Sequence, residues 1–153
     1  IHHEMTHYEA IVVGAGVVGP AIATGLARQG RKVLLIERGW REPDRIVGEL
    51  MQPAGLRALR ALGMVQAVNN IEATPAVGYT VFYEGEKVDI PYPSKAESAP
   101  LEKIEKSVFD GNDQIVDDAT LKRADYEDGE FERGVSFEHG KFITNLRNIA
   151  KAE

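Results

Sequence analysis

Apolar residues gather in short blocks along this chain, and the spacing inside each block differs. The run AIVV, Ala10–Val13, is apolar throughout and ends in glycines, which predicts a buried parallel strand. Over 17–29 the apolar positions Val18, Ile22 and Leu26 fall four apart, which marks one helix face, with Gly30 placed to end the helix as its C′ residue. A second apolar run over 32–37 predicts another buried strand. Strand, helix and strand within about thirty residues have the length of a βαβ unit.

Further along, PAGLRALRALGM predicts a helix with Leu56, Leu59 and Leu62 on one face, Pro53 in its first turn and Gly63 at its end. The β-rich stretch 79–83, a turn at Glu84-Gly85 and a return strand to Ile90 predict a hairpin. Residues 94–132 show no sustained period. The final segment carries Phe142, Leu146 and Ile149 at helical spacing. The fold expected is α/β: a Rossmann-like βαβ unit, then the start of a β-rich region, together an incomplete domain. The chain divides into a disordered leader over 1–9, a nucleotide-binding unit with its following loop and helix over 8–75, a hairpin over 76–93, an acidic insertion or linker over 94–132, and a return segment with its helix over 133–153.

Composition changes this picture little. Of the net charge of −6, residues 94–132 carry −7, from 12 acids against 5 bases, and the rest of the chain is close to neutral. An acidic stretch of that kind reads as solvated linker and argues against nucleic-acid binding. There is no cysteine, which excludes disulfides and thiolate metal sites. No apolar run is long enough for a transmembrane helix. His2, His3 and His7 read as part of a frayed terminus rather than a metal site.

The chemistry sits in the glycines. Gly14, Gly16 and Gly19 form G-x-G-x-x-G between the first strand and the first helix. In that context the first permits a tight turn, the second lets backbone approach a pyrophosphate, and the third allows close helix–strand packing. Ala23 extends the small-residue face. Glu37 ends the second strand, where an acid can accept hydrogen bonds from a ribose and disfavours a 2′-phosphate. These residues alone leave FAD and NAD both open.

The loop EPDRIVGELMQPAG, 42–55, narrows the choice. With the preceding ERGWR and the downstream GYTVF, IPYP and HGKFITNLRNIA, it resembles the squalene monooxygenases (squalene epoxidases), in the same order and over nearly the whole chain except 94–132. The acidic insertion is similar to that of the fungal, yeast-type members. The resemblance implies an FAD-dependent monooxygenase that epoxidises squalene to 2,3-oxidosqualene in sterol (ergosterol) biosynthesis. O2 is the co-substrate, a flavin C4a-hydroperoxide is the oxygen donor, and electrons come from NADPH through a partner reductase, the NADPH–cytochrome P450 reductase. It also implies an endoplasmic-reticulum membrane location through segments absent here.

Carried over position by position, the resemblance puts Val17 and Val18 beside the pyrophosphate and Glu37 and Arg38 near the adenosine ribose. Arg45 and Leu50 become flavin contacts, and Arg147 a cofactor-binding arginine of the last helix. Tyr79 matches a tyrosine required for activity, and Gln52 a glutamine that contacts it. Ala54 stands where the family has the first glycine of Q-P-G-G, an expected strain point if φ there must be positive. The family's later Asp-Gly motif is absent, and Asp110-Gly111 and Asp128-Gly129 read as turns. A truncated, non-catalytic FAD-binding paralogue and an NAD(H)-binding domain of another oxidoreductase are the alternatives.

Overall fold

The computed structural model describes residues 7–45, 50–94 and 132–153. The expectations for His2 and His3, for most of the 1–9 leader, for the acidic segment over 95–131 and for both Asp-Gly pairs therefore lie outside the described residues.

The βαβ unit is present. Strand β1 (Ala10–Val13) pairs in parallel with β2 (Val33–Ile36), and helix α1 (Val18–Arg28) connects them. Gly30, at φ +82°, ends α1 as expected. Its N–H bonds the Ala27 carbonyl at 2.8 Å and the Arg31 N–H bonds Leu26 at 3.2 Å, the paired bonds of a Schellman cap. Helix α2 (Pro53–Ala61) ends in the same way: Gly63 lies at φ +62°, and the Met64 N–H reaches the Leu59 carbonyl at 2.7 Å.

After α2 come a 3-10 turn (Val65–Val68) and β4 (Thr74–Ala76), the latter preceded in sequence by the two-residue β3 (Leu50–Met51). The hairpin pairs β5 (Gly78–Tyr83) with β6 (Glu86–Pro91) across a two-residue turn. Both turn residues have positive φ, 49° at Glu84 and 87° at Gly85, as a type I′ turn requires. Strand β7 (Gly134–Ser136) and helix α3 (His139–Ala152) complete the described chain.

The main core is not in the parallel sheet. Leu56, Leu59, Met64, Ala67, Val68, Ile71, Val135, Phe137, Phe142, Ile143 and Leu146 bury one another between α2, the 3-10 turn, β7 and α3. A small antiparallel sheet in the order β3–β7–β4 holds this region together. Sequence periodicity predicts none of its three strands. The Pro93 carbonyl accepts the Glu132 N–H at 2.9 Å, and Arg57 pairs with Glu132 at 2.9 Å. The chain thus departs beyond Ser94 and returns at Glu132 from one place on the surface.

Two expectations need correction. The strands β1 and β2 are not buried on both faces: Ile11, Val13 and Ile36 are exposed while Ala10 and Val12 turn inward. The helix face bearing Val18 and Ile22 is likewise exposed, and α1 buries Pro20, Ala23 and Thr24 instead. A parallel sheet needs cover on both faces and neighbouring strands. Among the described residues only one face of this two-stranded sheet is covered. Small side chains therefore make the intimate contact, and the larger ones point away.

Candidate cofactor site

The loop after β1 is built by three glycines with three different constraints. Gly14 lies at φ +98°, where an L side chain is strained, and its N–H continues the strand ladder onto the Ile36 carbonyl at 2.7 Å. A Cβ on Gly19 would stand 1.8 Å from the Gly14 carbonyl oxygen, so that position permits no side chain. A Cβ on Gly16 would meet no atom within 4 Å. Among the described residues nothing in the packing demands a glycine at Gly16, and the space above its backbone is open.

Helix α1 begins directly behind this opening, with no side chain capping its first turn. Its leading N–H groups and the positive end of its dipole face the loop, a ready acceptor of phosphate oxygens. Val17 and Val18, at the helix start, are exposed. An open, uncapped helix start beside a glycine with room above it fits a pyrophosphate.

Glu37 closes the loop from β2. One carboxylate oxygen accepts the Ala15 N–H at 2.7 Å and the other the Gly39 N–H at 2.9 Å. These bonds, that from Ala15 foremost, hold its carboxyl below the ordinary carboxylate range, with Arg147 adding a smaller effect in the same direction. Each oxygen of a carboxylate can accept more than one hydrogen bond, so ribose hydroxyls can still be received.

Arg147 approaches from beneath. It is 8% exposed on α3. Its Nε donates to the Ala15 carbonyl at 2.7 Å and its Nη1 to the Arg41 carbonyl at 3.0 Å, and its guanidinium lies over the Trp40 ring at 5.6 Å. Two of its five donors hold the protein's own backbone, because both carbonyls are brought to its planar edge. Arg38 and Arg45 are exposed. Arg45 lies at the edge of the described residues.

A second cluster gathers at the hairpin base. Gln52 is the N-cap residue of α2, with Pro53 in the first turn as expected. Its amide donates to the hydroxyl of Tyr79 on β5. The pair expected from the sequence is therefore in contact. Sequence reasoning did not single out the third member, Tyr92, whose hydroxyl lies 3.3 Å from that of Tyr79 with the rings edge to face. Its signal was a tyrosine set between the prolines of IPYP, directly after an alternating strand. Leu50, on β3, is 37% exposed and lies two residues before Gln52.

The Ala54 expectation also changes. Ala54 lies within α2 and is not among the residues of positive φ, so its Cβ is unstrained. The neighbouring Gly55 is the sensitive position: a Cβ there would come 2.6 Å from Met51 Cγ.

Residues 7–133 match the family described as FAD binding domain. The chain belongs to this family. The choice that the glycine spacing left open between FAD and NAD is settled for FAD. The FAD-binding chain is 62% identical over 150 residues to the squalene monooxygenase of Candida glabrata, covering 98% of this chain and 31% of that protein. It is 63% identical over 146 residues to a squalene epoxidase of Saccharomyces cerevisiae, covering 95% of this chain and 29% of that protein. It thus spans about 30% of the length of these curated relatives.

The resemblance read from the loop and its downstream motifs agrees with these similarities. In fold, the chain is similar to a flavoprotein/dehydrogenase from Cytophaga hutchinsonii, with a TM-score of 0.65 at 17% identity, over 95% of this chain and 28% of that one. No helix among the described residues is long and apolar enough to cross a membrane.

Proposed function

We propose that this chain is the front, FAD-binding part of an enzyme that epoxidises squalene to 2,3-oxidosqualene with O2. The observation that carries this reading is the identity of 62–63% to squalene monooxygenases across 95–98% of the chain. The electrons come from NADPH through a reductase partner, and the whole protein works at the endoplasmic-reticulum membrane through segments outside this chain.

In this reading Gly14, Gly16 and Gly19, with the first amides of α1 at Val17 and Val18, receive the FAD pyrophosphate. Glu37 takes the adenosine ribose hydroxyls and Arg38 lies beside them. Arg147 keeps the loop in its receptive shape by holding Ala15 and Arg41. Arg45 and Leu50 carry the chain from the adenine end towards the flavin ring. Bound FAD, once reduced, supplies the oxygen-activating chemistry, while the protein orients and excludes water.

Squalene has no polar handle, so Tyr79 and Gln52 do not recognise a functional group on it. They set the shape and the hydrogen bonding of the wall beside the reacting centre. The test is conversion of squalene to 2,3-oxidosqualene by the full-length flavoprotein, supplied with NADPH, a reductase and air. Tyr79→Phe is expected to retain FAD and lose most of the turnover. A Tyr79→Phe enzyme as fast as the parent would remove Tyr79 from the active site, and a flavinated parent that leaves squalene untouched would refute the substrate.

A further inference from the structure

Three side chains meet at the Tyr79 oxygen, and their donors and acceptors can be counted. Gln52 donates its side-chain N–H to that oxygen. The Tyr92 hydroxyl donates to it from 3.3 Å, with ring centroids 5.6 Å apart and an interplanar angle of 82°. A phenol has one proton and an oxygen that accepts at most twice. Both acceptor positions of the Tyr79 oxygen are therefore taken, and its own proton has no partner in Gln52 or Tyr92.

The two tyrosines are not equivalent. Tyr92 is 7% exposed and Tyr79 is 40% exposed, so one is an anchor and the other presents its edge to the open side. The hydroxyl end of Tyr92 lies over the backbone of Gly134: a Cβ there would be 3.3 Å from both its Oη and its Cε2. The Tyr92 N–H is tied to the Val77 carbonyl at 2.8 Å. Burial, and then the bond to Tyr79, push the Tyr92 hydroxyl up to about 12. At neutral pH it stays protonated and so remains a donor.

We propose that Tyr92 is a positioning residue for Tyr79. Together with Gln52 it fills the acceptor side of the Tyr79 oxygen and directs the Tyr79 O–H outward, as a hydrogen-bond donor to an acceptor at the reacting centre. The inference rests on the assignment of Tyr79 to the active site of a squalene epoxidase. The hydrocarbon substrate has no lone pair, so the outward proton serves an oxygen or nitrogen atom of another component of the site.

The experiment uses the full-length FAD-loaded protein as Tyr92→Phe, Tyr79→Phe and the double variant. Loss of one neutral hydrogen bond predicts that Tyr92→Phe lowers kcat for squalene roughly three- to tenfold. Flavin content and the KM for squalene stay unchanged. Because Tyr92 acts through the Tyr79 hydroxyl, the double variant is no slower than Tyr79→Phe alone. Losses that multiply, or a Tyr92→Phe enzyme of parental rate, overturn the proposal.

A second readout does not depend on squalene. With tyrosine labelled at 13Cζ and the Tyr79 signal assigned by its disappearance in Tyr79→Phe, the Tyr92→Phe change must shift that signal. An unmoved signal overturns the hydrogen-bond arrangement even if the substrate reading holds. A shifted signal in a protein inert to squalene supports the arrangement and refutes the substrate. Should Tyr92→Phe fail to fold, 3-fluorotyrosine at Tyr92 keeps the ring and strengthens the donor, and the same signal must again move.

Discussion

The Nε of Arg147 donates to the carbonyl oxygen of Ala15 at 2.7 Å, across 132 residues of sequence. The last helix of the chain thereby grips the middle of the glycine loop near its start. The same guanidinium also holds Arg41, so the glycine loop and the loop that follows β2 share one support. Under the proposed function, Arg147 supports the cofactor loop through bonds that are all to protein.

Replacing Arg147 by Met keeps much of the volume and removes both charge-assisted bonds. The cost expected is about 2 kcal/mol or more, read as a lowered urea midpoint, because two carbonyls lose their shared donor. Arg147→Lys recovers only part of it, since an ammonium cannot reproduce the fork. A midpoint unchanged in Arg147→Met would show that the two contacts carry no stability.

Glu37 makes part of the stability pH-dependent. Its folded-state titration is depressed below the ordinary 4.5 by the N–H groups of Ala15 and Gly39. The contribution is therefore complete above that value and is lost as the pH falls through the lowered one. Unfolding midpoints of the flavin-free parent and of Glu37→Gln, compared from about pH 7 down to about pH 3, should converge on acidification. A gap that stays constant with pH would contradict the assignment.

The hairpin turn offers a gain. Glu84 sits at φ 49° in a type I′ turn, where Asn-Gly is the favoured pair. Glu84→Asn is expected to raise stability by a few tenths to about 1 kcal/mol. A thermal midpoint lowered by the substitution would count against the turn geometry.

How much of this was legible beforehand follows from locality. Gly30 and Gly63 were recognisable as helix ends because a Schellman cap is a local pattern of one glycine after a periodic stretch. The Glu84-Gly85 turn was readable for the same reason. Strands β3, β4 and β7 were not, since two or three residues show no period and their pairing joins Met51 to Val135. The face bearing Val18 and Ile22 misled because periodicity names an apolar side of a helix but not what covers it. At the site, the glycine roles, Glu37 and the Gln52–Tyr79 contact came from motif and resemblance. The backbone targets of Arg147 depend on contacts more than 100 residues apart that no spacing in the sequence encodes, whereas Tyr92 stands just past the hairpin's return strand, within reach of the sequence signal in IPYP.

Whether the open backbone at Gly16 receives the FAD pyrophosphate is decided by the paired variants Gly16→Val and Gly19→Ala, read through flavin content and folding together. Gly19→Ala must fail to fold or be severely destabilised, because its Cβ meets the Gly14 carbonyl. Gly16→Val, with no atom within 4 Å of its Cβ position, should leave the fold intact, judged by circular dichroism and urea midpoint, and purify without FAD where the parent carries it. A folded Gly16→Val protein with parental flavin content would show that the pyrophosphate does not lie over Gly16.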